Sequence, residues 1–321
     1  MKNKGIIIFL IVLAVVIVGV IAGDYISGRP DKSAPNPFAY DVNDFKNVPE
    51  EMILYKESKN FKLGFEKPTA LAINSDMLFV AGDKKLQIID LSGKLETEIN
   101  LPDSPKTLEV NDGKIYVSIN NQIFVYDMSG TLLKEWEKLG ENSLITAIAA
   151  FEKNVFVADA GKRKVIRYDL EGEKLAEFDG KADEGVVHGF IVPSPFFDLD
   201  INPDGDLWVV NPGMHALENY TEDGSLREHW NRTTMKTEGF SGCCNPASFT
   251  FLPDGRFVTS EKGLVRIKTY KPSGEFDGVV AAPAKFTDEG EAPDVATDSQ
   301  GNIYALDFDK KMIRVFEEKK D

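Results

Sequence analysis

Short apolar runs recur from about residue 67 to residue 316 at a spacing of about 40–50 residues, the signature of a stacked or radial repeat. Each unit opens with an apolar segment, usually just after a proline: KPTALAI (67–73), SPKTLEV (104–110), LITAIAA (144–150), SPFFDLD (194–200), NPASFTF (245–251) and APDVATD (292–298). A tight turn such as NPDG (202–205), LPDG (252–255) or DSQG (298–301) follows. Next comes a β-branched and aromatic run: MLFVAGD, KIYVSIN, NVFVADA, DLWVVNP, RFVTSEK and NIYALDF. A third run then ends at a glycine (Gly93, Gly130, Gly172, Gly224, Gly274), as in IIDLSG, VYDMSG and RYDLEG, and KLETEIN, TLLKEWE and EKLAEFD begin a fourth. Runs of this length, composition and punctuation predict strands joined by glycine-containing turns.

The strands do not divide evenly. Six first, six second and six third strands are present, but only five fourth strands, because the sixth unit stops at MIRVFEEKKD. Upstream lies an orphan strand, EMILYKES (51–58). An open ring would expose unpaired strand edges. The expected fold is therefore all-β: a six-bladed β-propeller over residues 51–321, closed by its own N-terminal strand.

One segment falls outside the pattern. Lys2 and Lys4 precede an unbroken apolar run of 18 residues, Ile6 to Gly23. At ~1.5 Å per residue it spans about 27 Å, close to the ~30 Å hydrocarbon core of a bilayer. Its fourteen or so Ile, Val, Leu and Phe residues contribute on the order of −4 to −8 kcal/mol to insertion. Residues 1–23 read as a transmembrane signal anchor, with the membrane as partner through residues 6–23. Val20 and Ala22 also fit the −3 and −1 positions of a signal-peptidase site, although the run is longer than an ordinary signal core. Lysines before the run and Asp24 after it place the N-terminus in the cytoplasm and the rest outside, in a periplasm or at a cell surface. Residues 24–50, with Pro30, Pro35, Pro37 and Pro49, read as an extended tether.

The net charge of −15 excludes a nucleic-acid partner, which needs a basic footprint. Outside the cytoplasm the two cysteines, adjacent at Cys243 and Cys244, count as one possible bridge.

The segments DGDLWVVN (204–211), KNVFVADAGKRKVIRYDLEG (153–172) and GNIYALDFDKKMIRVF (301–316) resemble NHL-type repeats, and the resemblance extends over 51–321. It implies a propeller but no single activity, since such propellers include scaffolds, ligand binders, lyases and hydrolases.

Uneven connections point to one face. The link at 101–104 is short, whereas about 179–193, 231–245 and 281–292 are long and should gather at one mouth of the channel. That face is expected to carry His188, His215, Asn211, Cys243, Cys244, Asn245 and the acidic run 288–291. Adjacent Cα atoms lie 3.8 Å apart, below the span of an ordinary disulfide, so a Cys243–Cys244 ring would be strained. Alternatively the thiols stay reduced and bind a soft metal such as Cu(I), or both are merely buried. Among propellers of the lactonase type, calcium is held by inward carboxylates and amides, for which Asp198, Asn245 and Asp294 are the candidates. No cofactor is required by the sequence, and no GxSxG, P-loop, GxGxxG, CxxC or HExxH pattern occurs.

The expectation is a binding or scaffold module with a protein or small-molecule partner on the long-loop face, an accessory of an envelope redox or electron-transfer assembly. The alternative is a calcium- or zinc-dependent lyase or lactonase-type hydrolase.

Overall fold

The computed structural model describes residues 3–27, 42–181 and 189–320. They fall into two units, one ending at Asp41 and one beginning at Val42. In the first, Asn3–Ser27 is a single helix. Lys4–Tyr25 within it is long and apolar enough to cross a membrane, a property that anchors and signal sequences share.

The second unit is a six-bladed propeller of four-stranded antiparallel sheets. Blade 1 runs from Pro68 to Asn100, blade 2 from Pro105 to Glu135 and blade 3 from Ile145 to Phe178. Blade 4 runs from Leu199 to Asn231 and blade 5 from Ser248 to Ala281. Blade 6 takes three strands from Asp294–Glu318 and its fourth from Tyr55–Lys62. The register there is antiparallel, with Tyr55 opposite Glu318 and Phe61 opposite Ile313. The ring closes as expected, but the closing strand lies further along the chain than 51–58. Glu50–Met52 form a short 3-10 helix instead, and Ile53 bridges to Val279 of blade 5.

Glycine turns repeat for a packing reason. Gly93 has φ +93°, and a Cβ there would come 2.9 Å from the Phe61 ring. Gly274 likewise sits under Trp230. In each case an apolar side chain from the preceding blade's outer strand rests on the next blade's turn. Phe61 does for blade 6 what Trp230 does for blade 4, so the closing strand is a true fourth strand. The core lies between blades, where Trp208 meets Phe257 edge-on at 4.9 Å and Trp136 meets Tyr168 at 4.9 Å. Such contacts add about 0.5–1.5 kcal/mol beyond their buried area.

First strands line the channel and are stitched to their neighbours by side chains. Thr146 of blade 3 donates to the Phe197 carbonyl (2.6 Å), and the amide of Phe249 in blade 5 donates to Asp198 (2.8 Å). Leu71 of blade 1 donates its amide to Asp294 of blade 6 at 2.8 Å.

Candidate functional site

One mouth of the channel is built from the connections leading into the first strands and those joining second to third strands. It holds a cavity of about 280 Å³. Lys67 and Lys106 stand exposed at its rim, Phe196 and Phe308 form apolar walls, and Asp198 and Asp294 lie in its floor. A second cavity of about 170 Å³ continues down the channel past Glu109 and Asp200.

The four acids are displaced from the ordinary carboxylate range. Burial raises Asp294 and Asp200 to about 6 each. Asp198 is raised well above its usual value by burial and then by the neighbouring Asp294 and Asp200. Burial, with Asp200 adding to it, does the same for Glu109. Neutral or shared-proton carboxyls are the physical answer to like charges lining a narrow channel. Glu109 and Asp200 escaped the sequence reading, although Asp198, just before the strand Leu199–Ile201, and Asp200 within it are two residues apart and line the same cavity.

Beside the mouth lies the loop from Gly239 to Pro246, which carries the two cysteines. Cys243 is exposed and Cys244 is 1% exposed; both are free thiols, with the sulfurs 3.2 Å apart. The loop is fastened by polar groups from three directions. Arg266 and Lys268, on the third strand of blade 5, donate to the Gly239 carbonyl at 3.0 and 2.6 Å. His215, from the blade 4 connection, has its Nε2 2.7 Å from the Gly242 carbonyl oxygen and its Nδ1 3.1 Å from the Thr233 hydroxyl. Asn245 donates to the carbonyls of Ser241 (2.7 Å) and Lys262 (3.1 Å) and accepts the Lys262 amide at 3.0 Å.

Behind the loop sits a buried ion cluster. Glu261, Arg266 and Lys268 are all 0% exposed, and Glu261 receives Arg266 Nε at 2.7 Å and Lys268 Nζ at 2.8 Å. Burial lowers Lys268 to about 7, with Glu261 pulling the other way. The ammonium also faces the rings of Phe240 (4.5 Å) and Tyr270 (5.2 Å). Charges taken out of water in this way seldom add stability relative to apolar packing, so their service here is positional. Glu261 and Arg266 are direct cross-strand partners, an unusual pair for fully buried strands.

The expected face residues thus separate into groups. Cys243, Cys244, Asn245 and His215 come together at the thiol loop. Asn211 lies one turn away, fixing 189–191 by accepting the Ile191 amide at 2.9 Å and donating to Glu218 at 3.0 Å. Asp198 and Asp294 share the mouth cavity, but Asn245 is committed to backbone partners and does not join them. His188 lies outside the described residues, and His229 is exposed on the outer strand of blade 4. Among the described residues no three His, Cys, Asp or Glu side chains converge as metal ligands.

No protein-family model and no curated protein matches the sequence. Solved structures do match by shape. A streptogramin B lyase superposes with a TM-score of 0.60 at 15% identity, over 83% of this chain and 98% of its own. A virginiamycin B lyase from Staphylococcus aureus gives 0.58 at 18% identity, over 83% and 89%. A catalytically inactive histidine-to-alanine form of that lyase with quinupristin gives 0.56 at 17%, over 82% and 88%. What is shared is the fold. The NHL-type kinship stays a resemblance.

Proposed function

We propose that this protein is a membrane-anchored binding module whose propeller stands outside the cytoplasm and receives a partner on the thiol-loop face, as an accessory of an envelope redox assembly. The observation that supports this reading is the thiol loop itself. Three buried cationic or polar side chains and an amide hold its carbonyls, a degree of preorganisation that packing alone does not call for. The rim lysines and aromatic walls beside it offer a partner both charge and apolar contact.

Two measurements test it. In intact cells a membrane-impermeant maleimide should label Cys243, and the chain should stay with the membrane through an alkaline wash. In a mild-detergent extract kept reduced, wild type should sediment as part of a larger assembly, and Lys67→Glu/Lys106→Glu as the single chain. Wild type sedimenting alone, or a reversal variant that still co-sediments, would end this reading.

A lyase-type reading has its own support. Asp294, at about 6 in a mouth cavity, suits a general base near neutral pH, and the superposing lyases share the architecture. Of the three histidines, His215 is tied to backbone and hydroxyl partners and His229 lies on the outer strand. Conversion of quinupristin by the purified full chain, read by a chromatographic shift with a changed fragmentation pattern and lost in Asp294→Asn, would support it. An unchanged substrate would remove it.

A further inference from the structure

We propose that Cys243 and Cys244 form a thiol–disulfide exchange centre in which Cys243 attacks the disulfide of an extracytoplasmic protein partner and Cys244 resolves the mixed disulfide. This deepens the binding-module reading and rests on it for the partner's being a protein.

The geometry assigns the two roles. Cys243 is the exposed sulfur, the one an incoming disulfide can reach, and Cys244 is covered. The sulfurs are already 3.2 Å apart, so the second attack has little distance to close, although the ring it forms is strained. Two side chains act on the buried sulfur. The Ser194 hydroxyl and the Lys262 ammonium both favour the ionised form of the Cys244 thiol. That ammonium is itself placed 3.4 Å from Ser194 Oγ and 4.5 Å above the Phe196 ring. Burial raises the Cys244 thiol above its ordinary value, while Ser194 and Lys262 oppose the rise. Burial thus disfavours the Cys244 thiolate, and Ser194 and Lys262 are the groups that favour it when it attacks.

A soft-metal role fits less well. Among the described residues no third His, Cys, Asp or Glu joins the two sulfurs, and the surrounding fasteners point at backbone carbonyls rather than into the space beside the sulfurs.

The exchange balances. The Cys243 thiolate displaces one sulfur of the partner's disulfide, which leaves as a thiolate and takes up the proton that Cys243 released. The Cys244 thiolate then attacks Cys243 Sγ, and the partner's second sulfur leaves and is protonated in turn. One disulfide is reduced to two thiols, and one eight-membered ring disulfide forms between adjacent residues. Strain in that ring disfavours the oxidised form, so the reverse reaction hands the disulfide back to a partner dithiol readily.

The test uses the full chain in detergent with oxidised glutathione as probe, read by intact mass and peptide mapping. Wild type should lose two hydrogens and release reduced glutathione without keeping an adduct. Cys244→Ser should accumulate a stable glutathione adduct on Cys243, and Cys243→Ser should take up at least tenfold less. Equal labelling of the two variants, a persistent adduct on wild type or no reaction at all would overturn the assignment. In native membranes, Cys244→Ser should also give a reductant-sensitive band of higher mass that Cys243→Ser lacks. Glutathione chemistry without that band would overturn the protein partner. An assembly that persists under reduction with inert sulfurs would leave the docking reading intact and sink the exchange.

Discussion

Glu261 carries more of the thiol loop's geometry than either cysteine does. Its carboxylate neutralises Arg266 and holds Lys268, and both cations reach past it to the Gly239 carbonyl. Glu261→Gln keeps the size and removes the charge, leaving buried cations uncompensated. Unfolding in denaturant should show a loss of about 3–5 kcal/mol, the usual consequence of stripping one partner from a buried pair. Lys268→Met should lose much less at neutral pH, because this lysine titrates at about 7 and its charge is already partly absent. The channel acids show themselves through pH. Asp200 ionises near 6 in the folded chain but near 4 when unfolded, so its protonated form stabilises the fold below about pH 4 and that contribution fades as pH rises through 6. Asp200→Asn should therefore gain about 1–2 kcal/mol over wild type at pH 7.5 and almost nothing at pH 4, after allowance for its partial exposure. Paired denaturation curves at the two pH values check this. None of these roles was legible from residue type. A Glu-Lys-x-x-x-Arg-x-Lys run reads as a solvated strand edge until the loop that covers it is known.

At the scale of single elements, the closing strand shows where the reading of apolar runs stops working. Met52, Ile53 and Leu54 are apolar and looked like the strand. The observed strand is YKESKNFK, mostly polar, because the outer strand of a blade faces water on much of its surface. The apolar residues instead seal the seam with blade 5, where Leu54 donates its amide to the Val279 carbonyl at 3.0 Å and rests on Gly278. Counting strands found the right element, and hydropathy placed it a few residues early. Phe61 is the informative residue within it, since it covers Gly93 as Trp230 covers Gly274. Phe61→Ala should weaken the ring by about 2–3 kcal/mol, less than a fully buried phenylalanine, with no change in the register of the other blades. Thermal melts followed by amide exchange at Gly93 and Ile313 would locate the loss to this seam.

For the whole molecule, the architecture was readable because it repeats: six similar units offered the same β-branched run, and five of them the same turn glycine. The site was only partly readable because it is made where the repeat breaks, in connections with no counterpart in other blades. Loop length pointed to the mouth that holds the cavity and the thiol loop, yet the fasteners of that loop come from two blades and no local pattern joins them. Blade 6 is likewise made of segments about 250 residues apart in sequence, Tyr55–Lys62 and Met312–Glu318. Deleting 312–321 should therefore unfold all six blades cooperatively rather than leave five, with far-UV signal and protease resistance lost together. The same arrangement sets an order on synthesis. The strand that completes the circle leaves the ribosome among the first of the domain, and its mate emerges among the last. Throughout elongation every nascent chain carries an unmatched β-edge at its head, so holdase protection during that interval, rather than intrinsic folding speed, should govern how much finished protein a cell obtains.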